Sequence, residues 1–147
     1  MKIVFGSDEK NYLTDALVAE LERRGHMVEL VGPLAGNADA WPDVGRAVGE
    51  AVVAGVAEQG VVCCYTGTGV SIAANKVPGV RAALCHDAQT AEGARKWNHA
   101  NVLALSLRTT TPELAREILD AWFATPCPPE EQRYVDQVSA IDAQYRR

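Results

Sequence analysis

Five short apolar segments alternate with segments of helical periodicity along this chain, and this alternation constrains the fold more than any other feature. The apolar segments are residues 2–5, 27–31, 60–64, 80–85 and 101–106. The segments between them carry apolar residues at helical spacing, as Leu13, Leu17 and Leu21 do in the first one. Strands that alternate with helices pair into a parallel sheet through right-handed crossovers. The sequence therefore predicts an α/β fold with a five-stranded, parallel, doubly wound sheet.

Several predicted helices begin at capping residues. Asp87 precedes the helix predicted to end at about Trp97, and Thr111 followed by Pro112 precedes the next one. Asp and Thr side chains accept hydrogen bonds from the first N–H groups of a helix, and proline is favoured at the first helical position. We therefore interpret Asp87 as a cap rather than as a site residue.

A cluster of prolines separates the last predicted helix from the rest of the chain. Pro126, Pro128 and Pro129 precede a helix at about 130–145. That helix carries one apolar face, formed by Val135, Val138, Ile141 and Tyr145. We therefore divide the chain into an α/β domain over 1–125 and a C-terminal helical tail over 126–147, within the same domain or a dimer interface. We expect the tail helix to pack on a partner subunit.

The composition excludes several classes of protein. The chain has 147 residues and a net charge of −5 with scattered basic residues, so one domain without a nucleic-acid partner is expected. No segment approaches the roughly 18 apolar residues of a membrane span, and the apolar start MKIVF is too short for a signal peptide. We therefore expect a cytoplasmic protein that does not bind membranes. The four cysteines, at positions 63, 64, 85 and 127, are expected to be reduced and to bind no metal.

Residues 61–76, VVCCYTGTGVSIAANK, are the strongest candidate for a functional motif. An apolar strand ends in two cysteines, a Gly/Thr turn follows, and a helix is predicted at about 70–76. A glycine-rich turn before a helix lets backbone N–H groups converge on an anion. A thiol beside such a turn can have a lowered pKa, which makes Cys64 a candidate base or nucleophile.

The spacing alone leaves a second interpretation open, namely a tight turn with two buried cysteines. The motif has neither the GxxxxGK[ST] pattern of a P-loop nor the glycine spacing of a dinucleotide site. Position favours function, because residues 6–8, 64–69 and 86–87 all follow predicted strands, where doubly wound sheets bind ligands. Cys63 should point away from Cys64 into the core, and Cys85 and Trp122 are also interpreted as core.

Four segments of the chain resemble one family. They are MKIVFGSD at the start, WPD at 41–43, GTGVSIAANKVPGVRAALCHD at 67–87 and NHANVLAL at 98–105. Together they resemble the ribose-5-phosphate isomerase B and galactose-6-phosphate isomerase family over essentially the whole chain. The resemblance implies cofactor-free and metal-free isomerisation of aldoses and ketoses through a cis-enediol(ate). It also implies a flavodoxin-like, Rossmann-type fold and a homodimer or tetramer with the site at the subunit interface.

The resemblance also implies roles for individual residues. Cys64 matches the base that moves a proton between C1 and C2, and Thr66 matches a hydroxyl that assists ring opening. The N–H groups from Gly67 through Thr68 and Gly69 to Ser71 would stabilise the charge that develops on O1 and O2. Asp8 and Asn98 match residues that contact the sugar, and Arg108 matches a phosphate-binding arginine.

Several positions depart from the family pattern. Glu9 stands where a phosphate-site histidine is usual, Trp41 replaces a tyrosine, and Tyr65 replaces a glycine. Trp97 occupies the position of the ring-opening histidine, so a cyclic substrate would need His99 to act instead. In the tail, Glu130 and Tyr134 align with two phosphate arginines, and Arg133 lies one residue out of register.

These departures leave the substrate open. The absence of the ring-opening histidine favours a linear four-carbon sugar phosphate such as erythrulose 4-phosphate, which does not form a furanose. The acidic residues Glu9 and Glu130 favour an unphosphorylated sugar instead. A non-catalytic sugar-binding module is an alternative of another class, and an FMN-binding protein is a weaker one.

Overall fold

The computed structural model describes residues 1–146 and contains a parallel β-sheet between two layers of helices. In chain order its elements are β1 Lys2–Ser7, α1 Tyr12–Arg23, β2 Met27–Val31, a 3₁₀ turn Gly32–Ala35, α2 Trp41–Val53, β3 Gln59–Cys64, α3 Thr68–Asn75, β4 Ala82–Leu84, α4 Ala88–Asn98, β5 Val102–Ser106, α5 Pro112–Ala124, a 3₁₀ turn Pro129–Glu131 and α6 Gln132–Tyr145.

The five strands form one parallel sheet in the order β2-β1-β3-β5-β4, which confirms the predicted fold class. The flavodoxin-like order implied by the resemblance is 2-1-3-4-5. The last two strands therefore exchange places relative to that order. As a result β5 lies beside β3, and Ser106 at the end of β5 is in register with Cys64 at the end of β3.

The sheet separates two apolar clusters. On one face Phe5, Cys63 and Leu105 pack with the helices α1, α4 and α5. On the other face Val4 and Cys64 pack with α2 and α3. Because successive side chains of a strand point to opposite faces, the two adjacent cysteines enter different clusters. The predicted core positions of Cys63, Cys85 and Trp122 are confirmed, since all three are buried.

Strand β4 is shorter than the segment 80–85 that the sequence predicts. The N–H group of Val80 donates within the preceding turn, and the N–H group of Arg81 donates to Oδ1 of Asn101 at 2.7 Å. Since both groups are engaged outside the sheet, regular pairing begins only at Ala82. Asn101 therefore lies just before β5, and its side chain is used within the fold.

Both predicted helix caps are confirmed. Oδ1 of Asp87 accepts a hydrogen bond from the N–H group of Thr90 at 2.7 Å, and Oγ1 of Thr111 accepts one from Leu114 at 3.1 Å. The bond from Thr90 lowers the pKa of Asp87. Asp87 thus stabilises the start of α4, as the sequence indicated.

Helix α6 makes few contacts with its own chain. Val135 is buried, whereas Val138, Ile141 and Tyr145 are exposed. A carboxylate oxygen of Asp142 accepts a hydrogen bond from the N–H group of Gly79, after α3, at 3.1 Å. Packing of this helix on a partner subunit stays a prediction. No helix within residues 1–146 combines the length and the apolar composition needed to cross a bilayer.

Candidate active site

The candidate site lies at the topological switch point of the sheet, where successive connections leave β1 on opposite sides. From β1 the chain passes to β2 on one side and later returns to β3 on the other side of β1. Ligands of doubly wound sheets bind beyond the carboxyl ends of the strands at such a point. Asp8 follows β1 there, Cys64 ends β3, and the N–H group of Asp8 donates to the carbonyl oxygen of Cys63 at 3.4 Å. Asp8 and Cys64 therefore lie on adjacent strand ends.

The turn after β3 requires glycine at position 67. The N–H group of Gly67 donates to the carbonyl oxygen of Cys64 at 3.2 Å, and Gly67 has a φ angle of 77°. Residues with a Cβ atom rarely adopt this left-handed conformation. A Cβ atom at this position would also lie 2.6 Å from Cδ1 of Leu84 and 2.9 Å from the carbonyl carbon of Leu105. The glycine thus lets the turn pack against the end of the sheet, so that α3 begins directly after it.

Cys64 lies beside the glycine turn at the wall of a cavity. The side chain is 5% exposed and belongs to the cluster beneath α2 and α3. It lines a cavity of about 310 Å³ whose other walls are Asp8, Trp41, Tyr65, Thr66, Thr68 and Gly69. The neighbouring Cys63 is fully buried on the opposite face, and this burial raises its pKa. Of the two thiols, only that of Cys64 lines this cavity.

The first turn of α3 supplies backbone donors beside this thiol. The N–H groups of Thr68, Gly69 and Val70 have no backbone acceptor within residues 1–146, as is usual for the start of a helix. The partial positive charge of the helix N-terminus adds to their effect on an anion. The expectation that the N–H groups of Gly67 and Ser71 face the substrate needs correction. The former is used in the turn, and the latter donates to the carbonyl oxygen of Gly67 at 3.3 Å.

Two hydroxyl groups stand next to these donors. Oγ1 of Thr66 and Oγ1 of Thr68 are 2.7 Å apart, and both residues are exposed on the cavity wall. Because a hydroxyl both donates and accepts, the pair can bind a sugar oxygen while keeping its mutual hydrogen bond. The structure thus places Thr66 and Cys64 around one cavity, and the role of Thr66 stays a prediction.

Asp8 lines the same cavity, and one oxygen of its carboxylate lacks a hydrogen-bond partner within residues 1–146. This oxygen, Oδ1, is buried. Burial raises the pKa of Asp8, and the negative charge of Glu9 raises it further. The Ser7 hydroxyl fixes the backbone of Glu9, because it donates to the carbonyl oxygen at 2.6 Å and faces the N–H group at 3.3 Å. A buried acceptor without a partner is suited to a hydroxyl group of a ligand.

Trp41 and Arg108 approach the site from neighbouring elements. Trp41, the first residue of α2, packs so closely on Gly69 that a Cβ atom there would lie 2.9 Å from its ring. The N–H group of Arg108 donates to the carbonyl oxygen of Tyr65 at 2.9 Å, so the loop after β5 is joined to the turn after β3. The guanidinium of Arg108 forms no ion pair within the described part of the chain. It is therefore available to an anion at this edge.

The other predicted site residues lie near the amino ends of the strands, whereas Cys64 lies at a carboxyl end. They are Trp97, Asn98, His99 and Arg133. Helix α4 carries the chain back from the end of β4 to the start of β5, so Asn98 comes to lie beside the start of β4. There its carbonyl oxygen accepts a hydrogen bond from Nε of Arg81 at 3.1 Å. Trp97 and Asn98 line a separate cavity of about 190 Å³ together with Tyr134 of α6. This cavity shares no lining residue with the one at Cys64.

His99 and Arg133 belong to this second group. His99 is largely buried in a left-handed conformation with a φ angle of 45°, and its Nε2 atom lies 2.9 Å from the carbonyl oxygen of Pro128. Since a carbonyl only accepts, Nε2 must carry the proton in this bond. The guanidinium of Arg133 lies over the ring of Tyr134 with 4.6 Å between its central carbon and the ring centroid. One chain therefore does not bring these residues to Cys64.

Cys85 is buried in the core. Burial raises the pKa of Cys85 to about 12. Within residues 1–146, no three His, Cys, Asp or Glu side chains are grouped so that they could hold one metal ion. Tyr65 is the residue whose place the sequence did not reveal, because it was identified only as a departure from the family pattern. Its position between Cys64 and Thr66 was the signal that it would line the cavity.

Comparison with known families gives a match over nearly the whole chain. Residues 3–141 match the sequence model of a family described as ribose/galactose isomerase. A D-erythrulose-4-phosphate isomerase of Pectobacterium atrosepticum is 40% identical over 129 residues, which cover 84% of this chain and 82% of that protein. Ribose-5-phosphate isomerase B of Escherichia coli is 38% identical over 143 residues, which cover 97% and 95%.

A solved structure agrees with the sequence comparisons. Ribose-5-phosphate isomerase B of Clostridium thermocellum superposes with a TM-score of 0.91 at 38% sequence identity, and the match covers 99% of each chain. The strand order with β5 between β3 and β4 therefore belongs to a fold that this chain shares over nearly its whole length with a solved member of the family.

Proposed function

The chain belongs to the ribose/galactose isomerase family and is a sugar-phosphate isomerase similar to ribose-5-phosphate isomerase B, and we propose that Cys64 is its proton-transferring base. One observation carries this proposal. Cys64 lines a cavity together with Asp8, which has one buried carboxylate oxygen without a partner, and with the first turn of α3. Aldose–ketose isomerisation needs a base that reaches two neighbouring carbons and donors for the oxygen that becomes charged.

The reaction follows from this arrangement. The Cys64 thiolate removes the proton from C2 of an open-chain aldose, and the electrons of that C–H bond form the C1–C2 double bond of a cis-enediolate. Negative charge moves to O1, where the N–H groups of Thr68, Gly69 and Val70 stabilise it. The thiol then returns the proton to C1 while the O2–H proton is lost and O1 is protonated, which gives the ketose. Donors of this kind commonly contribute about 10²–10³ each to the rate.

Asp8 and Thr66 would orient the sugar for this transfer. The Asp8 carboxylate would accept a hydrogen bond from a sugar hydroxyl, and the Thr66–Thr68 hydroxyl pair would contact the oxygen on the other side of the reacting carbons. A substrate held in this way has its C1 and C2 atoms beside the sulfur, which converts proton removal into an intramolecular step.

We also propose that a second copy of the chain completes each site. Residues 97–99 and 133 lie at the end of the sheet opposite Cys64. One chain therefore cannot bring these residues and Cys64 to the same substrate molecule. A twofold dimer would place residues 97–99 and 133 of one copy at the Cys64 cavity of the other copy. The exposed apolar residues Val138, Ile141 and Tyr145 of the tail helix supply a surface for this pairing. Two such dimers could associate further into a tetramer.

The phosphate would be bound by arginines from both copies. Arg108 supplies one guanidinium at the edge that carries Cys64, and Arg133 of the second copy would supply another. Glu9 is exposed and directly follows Asp8, so the phosphate must bind away from its negative charge. Because Trp97 cannot transfer a proton, the structure favours a sugar that is already open, and a four-carbon ketose phosphate such as erythrulose 4-phosphate is the second candidate substrate.

The experiment is a panel of four- to six-carbon aldoses and ketoses, with and without a terminal phosphate, followed by proton NMR. The proposal expects interconversion of an aldose and a ketose of one carbon number, with the phosphorylated form preferred. Binding of sugars without turnover of any of them would instead support a non-catalytic sugar-binding module. Turnover of unphosphorylated sugars alone would contradict the phosphate assignment.

Mixing of inactive variants tests the shared site. Cys64→Ala and Asn98→Ala each remove one half of the site, and both should be inactive alone. After the subunits exchange, half of the dimers are mixed and each mixed dimer has one intact site, so about a quarter of wild-type activity should return. No recovery, in a mixture shown to contain mixed dimers, would place both residues in one chain's site.

A further inference from the structure

Tyr65 occupies a fixed place beside the reactive thiol. It directly follows Cys64, and its carbonyl oxygen accepts two hydrogen bonds, from the N–H group of Arg108 at 2.9 Å and from the hydroxyl of Ser106 at 3.1 Å. Ser106 is itself buried at the end of β5. The backbone of Tyr65 is thus anchored to the sheet, and its side chain has only two torsions with which to move.

The ring of Tyr65 forms the outer part of the cavity wall. Tyr65 is 63% exposed whereas Cys64 is 5% exposed, so Cys64 lies deep in the cavity and Tyr65 lies at its outer side. Among the lining residues, only Trp41 and Tyr65 carry aromatic rings. Trp41 is held against Gly69. The room left for the part of a sugar beyond C2 therefore depends on the bulk of Tyr65.

We infer that Tyr65 is a specificity-determining residue that limits the length of the sugar phosphate. This inference rests on the proposed isomerase function and deepens it. With C1 and C2 held at the thiol, each further hydroxymethylene group of the substrate must fit between the ring and the phosphate-binding groups. The ring therefore disfavours five-carbon substrates relative to four-carbon ones. One misfitting carbon unit typically changes kcat/KM by about 10–200-fold.

The test compares kcat/KM for erythrulose 4-phosphate and ribulose 5-phosphate in the wild type, Tyr65→Ala, Tyr65→Leu and Tyr65→Phe. The ratio of the two values is taken within each variant, so a change in stability or in active fraction cancels. We expect the ratio to shift towards the five-carbon sugar by about tenfold or more in Tyr65→Ala, and less in Tyr65→Leu. Tyr65→Phe keeps the ring and loses only the hydroxyl, so its ratio should stay within about threefold of the wild type.

An unchanged ratio in Tyr65→Ala and Tyr65→Leu would overturn the role of Tyr65 while leaving the isomerase function intact. A shift in Tyr65→Phe as large as that in Tyr65→Ala would also overturn it, because the hydroxyl rather than the bulk would then decide. Failure of the wild type to convert either sugar would instead refute the proposed substrates, and the inference about Tyr65 with them.

Discussion

The glycine turn that holds Cys64 can be tested by adding a single methyl group to Gly67. In Gly67→Ala the residue must keep a φ angle of 77°, and the left-handed conformation costs a residue with a Cβ atom about 1–2 kcal/mol. The new Cβ atom also meets Cδ1 of Leu84 at 2.6 Å and the carbonyl carbon of Leu105 at 2.9 Å. Overpacking of this kind costs about 1–3 kcal/mol. The free energy of unfolding should therefore fall by about 2–5 kcal/mol.

Gly36→Ala is the matched control for this substitution. Gly36 has a φ angle of 87°, and no atom lies within 4 Å of the Cβ atom that alanine would add. Only the conformational cost of about 1–2 kcal/mol should remain. The difference between the two variants thus measures the close packing of the turn against the sheet.

Urea unfolding measures both free energies, and kcat/KM for the preferred sugar phosphate measures the effect on the site. Relief of the clash at position 67 must move the turn, and a shift of about 1 Å at a reacting group can cost about 100-fold in rate. We therefore expect Gly67→Ala to lose about 100-fold in kcat/KM and Gly36→Ala to keep nearly wild-type activity. Equal stability and equal activity of the two variants would refute the argument that glycine is required at this turn.

Two further predictions concern groups that support the fold. Ser106→Ala removes the buried hydroxyl that donates to the Tyr65 carbonyl and accepts from the N–H group of Thr109, so urea unfolding should show a loss of about 1–3 kcal/mol; an unchanged midpoint would contradict this. The hydrogen bond from Arg23 is the main reason that the pKa of Glu20 falls from 4.5 to about 2. A carboxyl group whose pKa is depressed on folding stabilises the folded state above pH 4.5, and this stabilisation is lost as the pH falls towards 2. Between pH 6 and pH 3, Glu20→Gln should therefore lose less stability than the wild type. If the urea midpoint falls by the same amount in both proteins between pH 6 and pH 3, Glu20 has no such effect.

The strands and the adjacent cysteines show what the sequence determines directly. Alternation of apolar and helical segments predicted the five strands, and strand periodicity predicted that Cys63 and Cys64 point to opposite faces. Asp87 and Thr111 were predicted as helix caps because the N–H groups that they accept from lie only three residues away. These features depend on interactions between residues close together in sequence.

The features that sequence reasoning missed depend on residues that are distant in sequence. The order of β4 and β5 is not set by the length of α4, because a crossover of that length can reach either neighbouring position. β4 is short because Asn101, which follows Arg81 by 20 residues, engages the N–H group of Arg81. The motif match assigned Asn98 a role in sugar binding but did not show that α4 places this residue far from the Cys64 of its own chain. The direction of α4 could have indicated this, since a helix between two parallel strands returns the chain from the carboxyl end of one strand to the amino end of the next.

The resemblance and the structure contribute differently to the account of the site. Matching of motifs implied roles for Cys64, Asp8 and Thr66, and the structure places all three around one cavity. It also corrects the set of backbone donors, because the N–H groups of Gly67 and Ser71 are already used within the turn and the helix. Backbone hydrogen bonds of this kind cannot be deduced from a motif.

Exchange of the substrate's C2 proton with deuterated solvent, followed by NMR in the wild type and in Cys64→Ala, tests the role of the thiol most directly. Cys63→Ala is the matched control, since that thiol lies on the opposite face of the sheet in the buried core. If the sulfur at position 64 transfers the proton, Cys64→Ala should lose exchange by about 100-fold or more while its folded state survives and Cys63→Ala still catalyses exchange. Exchange at the wild-type rate in Cys64→Ala would contradict this assignment.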